Sequence, residues 1–215
     1  MSKFNRQIKF DIDPTRPEEE FARPTDYFTS ERAVQYAQSS SMRKMQRKMV
    51  ARALELVEID TDAWVLDLGC GTGFGQELLA EVGVHVVGTD VAWAMLAAGR
   101  QDCGPRVCAE MTALPFRRSS FDTVISISAI QWILDEVPGI RDQEIAALVQ
   151  ELQGILVEAG SLVLQFYPRS SEILEDVKDG FGAMAAFDGH LVIDNPDNPK
   201  KRKIYLAAVK RTSLS

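Results

Sequence analysis

Short apolar runs alternate with amphipathic stretches along most of this chain, and that alternation predicts strands interleaved with helices. The runs cover 64–68, 84–89, a short stretch around Val107, Phe121 to Ile127, Ser161 to Tyr167, 190–194 and 203–209. Apolar spacing near the helical period predicts helices over 74–82, near 92–99, over 141–158 and near 171–179. Strands separated by helices imply a parallel sheet covered on both faces. The last two runs are joined by Asn195-Pro196-Asp197-Asn198-Pro199 and read as a hairpin. The expected fold is therefore α/β: seven strands, mostly parallel, with a C-terminal antiparallel hairpin and helices on both faces.

Ahead of the sheet, a helical pattern runs from Ser30 to Glu58, with Ser30 as its N-cap. Met42, Met45, Met49, Ala53 and Leu56 form the expected inner stripe. Arg43, Lys44, Arg47 and Lys48 gather on another side, either as a solvated face or as an anion-binding patch. Residues 1–23 mix both charges with Pro14 and Pro17 and show no period, so they read as a mobile arm. The domain is expected over 24–215, including this N-terminal helical extension.

The turn after the first run carries the chemistry. Val65-Leu66-Asp67-Leu68-Gly69-Cys70-Gly71-Thr72-Gly73 ends a strand in an acid and a glycine-rich turn, and a helix follows. Glycines there let the backbone approach a ligand closely. The dinucleotide spacing G-x-G-x-x-G fails in both registers, because Phe74 and Gln76 stand where the third glycine belongs. The spacing D-x-G-x-G-x-G instead resembles motif I of the class I S-adenosylmethionine (SAM) methyltransferases, whose fold is Rossmann-like. SAM is the expected cofactor. Its candidate ligands are Asp67, Gly69, Cys70, Gly71, Thr72 and Gly73 in the turn, Asp90 and Val91 after the next strand, Glu110 and Met111 after the third, and Ser126 on the fourth. Asp90 suits ribose hydroxyls and Glu110 an adenine amino group. NAD is the disfavoured alternative.

Composition narrows the classes. With 215 residues, 46% of them hydrophobic, the chain suffices for one α/β domain. A net charge of −7 argues against indiscriminate nucleic-acid binding but leaves room for a local basic patch. Cys70, Cys103 and Cys108 form no C-x-x-C, and His85 and His190 are the only histidines, so no disulfide framework or metal site is expected. No run reaches membrane-span length and the polar start is no secretory signal, so a soluble cytoplasmic protein is expected.

The loop Ser126-Ile127-Ser128-Ala129-Ile130-Gln131-Trp132 lies where methyltransferases distinguish acceptors. It has neither an Asn/Asp-Pro-Pro-Tyr/Phe pattern nor a cysteine nucleophile, which favours an acceptor with its own lone pair, such as a purine N7. Tyr27, Phe28, Tyr36, Trp132, Phe166 and Tyr167 could stack on a base. Two or three of these are expected to face the site, with Trp132 and Tyr167 as the preferred pair for positioning the base.

Motif I together with the Ser126–Trp132 loop and Gln165-Phe166-Tyr167-Pro168 resembles the small-subunit ribosomal RNA (guanine-N7)-methyltransferases. Further likeness lies in Arg52-Ala53-Leu54-Glu55-Leu56, Leu114-Pro115-Phe116-Arg117 and Lys200-Lys201-Arg202-Lys203. The resemblance implies methylation of one guanine in small-subunit rRNA during ribosome maturation. It also implies a small zinc-binding activator protein paired with the edge strand Arg106-Val107-Cys108-Ala109. Three features depart from the family. The chain lacks a long basic C-terminal tail, which suggests an archaeal-type member, with a nuclear or nucleolar location if it is eukaryotic. Glu110 stands where aspartate is common. Ser41 replaces a frequent arginine, leaving Gln46 and Arg43 as candidates for the methionine carboxylate. The open alternatives are a SAM-dependent enzyme with a tRNA, protein or small-molecule acceptor, and a ribosome-assembly factor whose methylation is dispensable.

Overall fold

The computed structural model describes residues 16–100, 102–134, 138–183 and 186–212. Two short helices, α1 (Pro17–Glu20) and α2 (Pro24–Tyr27), lead into α3 (Ser30–Gln38) and α4 (Ser40–Leu54). The alternating part follows: β1 (Trp64–Leu68), α5 (Phe74–Glu81), β2 (His85–Asp90), α6 (Trp93–Ala98), β3 (Arg106–Cys108) and β4 (Phe121–Ile127). Then come α7 (Gln131–Leu134), α8 (Pro138–Ile155), β5 (Leu156–Phe166), α9 (Ser171–Ala183), β6 (Phe187–Asp194) and β7 (Lys203–Lys210).

The seven strands form one sheet in the order β3-β2-β1-β4-β5-β7-β6. Strands β3, β2, β1, β4 and β5 pair in parallel, and β7 runs antiparallel to both β5 and β6. Successive residues of a strand serve opposite faces, so β1 sends Leu66 and Leu68 into the layer under α8 and α9. Val65 enters the other layer, with Met49, Val50 and Ala53 of α4 and Leu79 of α5. Asp67 shares that second face and is buried there. An acid thus ends an otherwise apolar strand at the point where the strand order reverses, which is where ligand crevices form in open α/β sheets.

The helix expected over Ser30 to Glu58 is two helices. Ser39 is extended (φ −78°, ψ 104°), and its side chain accepts from the Met42 backbone N–H at 3.3 Å. Clustered serines favour capping over helix interior because their hydroxyls compete for backbone groups. Thr29, not Ser30, caps α3, accepting from the Arg32 N–H. The inner stripe is correspondingly shorter: Met49, Val50 and Ala53 are buried, Met42 is half-buried and Met45 is exposed.

Of the arm expected over 1–23, residues 1–15 lie outside the described residues. Its remainder packs on the sheet: an Arg16 guanidinium N–H donates to the Tyr167 carbonyl at 2.8 Å, and Glu18 of α1 is buried. The basic patch on α4 is half neutralised, because Arg43 pairs with Glu77 at 2.6 Å and Arg47 with Glu81 at 2.6 Å. Lys44 and Lys48 remain exposed.

Candidate functional site

Across the carboxyl ends of β1, β2 and β4 lies a cavity of about 340 Å³, within the usual range for small-molecule sites. Its floor is the turn after β1. Gly69 adopts φ +77°, and a Cβ there would stand 2.2 Å from the Ala129 Cβ, so the turn requires both the left-handed conformation and the missing side chain. Gly71 (φ +55°) turns its N–H toward β2 and donates to Asp90 Oδ2 at 2.8 Å. The Ala92 N–H donates to Asp90 Oδ1 at 2.8 Å. Burial pushes the Asp90 carboxyl above its ordinary value, and these two donors oppose the shift.

Asp67 has no such support among the described residues. It is buried, its Oδ2 has no hydrogen-bond partner there, and burial followed by the charge of Asp90 pushes its pKa up to about 7. A Cβ on Gly75 would reach Asp67 Oδ2 at 2.9 Å, so glycine at that position leaves the carboxylate room. Thr72 Oγ1 and Thr89 Oγ1, on the same cavity wall, are also buried without partners among the described residues. Buried polar atoms are ordinarily satisfied, so three such atoms on one wall mark a surface shaped for a polar ligand. SAM fits this donor set: an ammonium and ribose hydroxyls suit Asp67 and Asp90, and Val91 and Met111 offer apolar contact for a purine.

Of the residues singled out from sequence, Asp67, Gly69, Cys70, Gly71, Thr72, Asp90, Val91, Glu110, Met111 and Trp132 line this cavity. Three do not. Gly73 caps α5 behind the turn, beside Gln76 and Arg106. Ser126 is fully buried, its hydroxyl committed to the Leu68 carbonyl at 2.7 Å, so it ties β4 to β1. Two residues on, Ser128 takes the accessible place: it lines the cavity at φ +55°, with its hydroxyl 2.7 Å from Gln165 Oε1. Tyr167 lies beyond the cavity, its hydroxyl on the Met49 sulfur and its ring beneath Arg16 and Lys203 at 5.0 and 4.8 Å.

Trp132 is instead grouped with Phe28 and Tyr27, its ring centroid 6.1 and 6.3 Å from theirs. Phe28, Tyr36 and Trp132 line the cavity, whereas Phe166 is fully buried. The sequence reading missed Arg23, the sole cation lining the cavity among the described residues, because it placed that residue in a mobile arm. Of the two candidates for a carboxylate partner, Gln46 lines the cavity and Arg43 turns to Glu77.

The cavity opens into a second groove. Phe28, Tyr36, Gln46, Ser128 and Trp132 line both, and the groove continues past Tyr27, Tyr167, Met42 and Met45. Arg16, Arg32, Lys200, Arg202 and Lys203 also line it, Arg202 being buried with its guanidinium donating to the Pro196 carbonyl. At the shared junction stand aromatic rings, an amide and a hydroxyl, with no carboxylate, histidine or cysteine among these described residues. Burial pushes the Tyr36 hydroxyl up to about 12, so that group stays protonated at neutral pH.

A family profile described as "Methyltransferase domain" matches residues 66–164, from β1 to β5. The 18S rRNA (guanine(1575)-N(7))-methyltransferase of Saccharomyces cerevisiae is 37% identical over 190 residues, covering 86% of this chain and 68% of its own. The 18S rRNA (guanine-N(7))-methyltransferase of Bos taurus is 36% identical, with 89% and 70% covered. Among solved structures, the complex of the Haloferax volcanii Trm112 methyltransferase activator with a putative methyltransferase superposes with a TM-score of 0.58 at 16% identity, over 84% of this chain and 98% of that one. This last likeness concerns the fold. With identity above 30% across nearly the whole chain, the sequence belongs to the 18S rRNA (guanine-N7)-methyltransferase family, SAM-dependent enzymes of the class I methyltransferase fold.

Proposed function

We propose that this protein methylates N7 of a guanine in small-subunit ribosomal RNA, working with a small zinc-binding activator subunit docked along β3, in the cytoplasm or the nucleolus according to its source. The observation that carries the reading is the junction between cavity and groove, where aromatic rings meet and the five shared described residues include no carboxylate, histidine or cysteine. Most methyl acceptors need a proton removed before they attack, whereas a purine N7 already holds an in-plane lone pair.

SAM, when bound, supplies a sulfonium methyl as the electrophile. Asp90 would hold the ribose and Glu110 the adenine amino group, with Val91 and Met111 offering apolar contact. The backbone from Gly69 to Thr72 would support the methionine part, with Asp67 suited to its ammonium and Arg23 or Gln46 to its carboxylate. Phe28, Tyr36 and Trp132 would confine the incoming base at the junction and limit its orientations, which is the entropic share of catalysis. Methylation at N7 leaves a positive charge on the purine, and aromatic faces stabilise such a cation as it forms. Cations along the groove hold the flanking phosphates, setting register without reading sequence.

The test is a map of 7-methylguanosine along small-subunit rRNA, by reduction and strand cleavage, in cells with and without this gene. Loss of one methylated guanine is the expected result. An unchanged map rejects the assignment and returns the acceptor to tRNA, proteins or small molecules.

A further inference from the structure

We propose that Arg106 is a positioning residue for the cofactor, its guanidinium spanning the backbone carbonyls of Thr72 and Arg100 and so fixing the glycine turn against the segment that ends α6. The inference concerns SAM and holds whichever acceptor is methylated.

The turn after β1 is tied to the end of β2 through three successive N–H groups. Gly69 and Cys70 both donate to the Thr89 carbonyl at 2.8 Å, and Gly71 donates to Asp90. At Thr72 a side chain takes over from the backbone. Arg106 Nη1 donates to the Thr72 carbonyl at 3.3 Å, and Nη2 donates to the Arg100 carbonyl. Thr72 lines the cavity, whereas Arg106 does not. The guanidinium therefore holds the turn from behind and leaves the cofactor's space clear.

The two carbonyls belong to the two arms of the site: the turn carries Gly69 to Thr72, and α6 starts just after Asp90 and Val91. Gly99 lets these arms meet. A Cβ there would stand 2.5 Å from the Thr72 carbonyl oxygen and nearer still to Arg106 Nη1. Its φ of −73° is open to any residue, so glycine supplies room at this place rather than conformational freedom. A planar guanidinium with several fixed donors can hold two carbonyls at once. Contacts made before the ligand arrives spare it the cost of ordering the turn.

The experiment uses the full chain purified with its activator subunit. Calorimetry reads SAM affinity and stoichiometry for wild type, Arg106→Met, Gly99→Ala and the double variant. Arg106→Met removes the donors while keeping an unbranched side chain. Gly99→Ala leaves every donor of Arg106 in place and forces the two arms apart, so it tests the bridge even where Arg106→Met fails to fold. Each single variant is expected to bind SAM about tenfold more weakly, the scale of one hydrogen bond to a charged group, with stoichiometry unchanged. Both substitutions break the same bridge, so the double variant should lose little more than either alone. In methyl transfer the loss should fall on KM for SAM and leave KM for the RNA as it was. Wild-type SAM affinity in Gly99→Ala, or in a folded Arg106→Met, would overturn the proposal by reducing Arg106 to a staple of β3. So would a lower stoichiometry at wild-type affinity, which marks a partly unfolded population, or losses that multiply in the double variant, which mark two separate faults.

Discussion

Asp67 is a buried acid whose pKa lies at about 7 against an ordinary 3.8, and the sign of that shift has consequences. A carboxyl whose folded pKa is raised contributes stability that is fully present below its unfolded value and is lost as pH rises through about 7. A ligand that brings a positive ammonium reverses the preference and must first displace the proton. SAM should therefore bind about tenfold more weakly at pH 6 than at pH 8, the difference set by the protonated fraction. Asp67→Asn should bind more weakly at pH 8 and lose most of the pH dependence. Calorimetry in two buffers of different ionisation enthalpy would read both the affinity and the released proton. At this scale much of the site was legible, since a glycine turn between two strand-ending acids is a local pattern. Ser126 and Ser128 were not separable, because both belong to one loop motif and only the pairing of β4 with β1 shows which hydroxyl is already used.

At the scale of elements, the exposed edge is the informative feature. Among the described residues, β3 pairs with β2 on one side only. The Pro105 carbonyl and the Ala109 N–H bond to β2, so by two-residue alternation Arg106 and Cys108 present their backbone groups outward. An added strand would dock on those groups. Cys108→Pro removes an outward donor without removing a β2–β3 bond. It is expected to abolish co-purification of the activator subunit while SAM binding persists in calorimetry; retained co-purification would place the activator elsewhere. The strands were legible to within a few residues, since burial on both faces leaves continuous apolar runs, except that β5 begins at Leu156, where the helix expected over 141–158 was to continue. The break at Ser39 was not, because the helical period continues through it and capping by serine competes with propagation on nearly equal terms.

Charge is distributed unevenly over the molecule as a whole. Despite a net −7, cations collect around the groove at the carboxyl ends of the strands. Glu58, Asp60, Asp62, Asp122, Glu158 and Asp188 line a recess at the opposite end. Such polarity orients an approaching polyanion groove-first and disfavours binding elsewhere. RNA affinity should fall steeply with salt, and replacing Lys200 and Lys203 by glutamine should lower the log–log slope by about one to two, roughly one for each phosphate that is no longer neutralised. Fluorescence anisotropy across a salt series measures this, and an unchanged slope would remove those lysines from the RNA path. SAM affinity should not change.

The succession of strands and helices, the glycine turn, the cofactor class and the family were present in the sequence itself, because each depends on periodicity or on residues close together in the chain. The second groove was decided by tertiary structure alone. It assembles Arg16, Glu18 and Tyr27 from the N-terminal segment, Met42 and Met45 from α4, Trp132 from α7, Tyr167 from the end of β5 and Lys203 from β7. No local pattern links those positions. They meet because parallel strands bring distant loops to one end of the sheet, where the packing of α1 and α2 closes the groove over them.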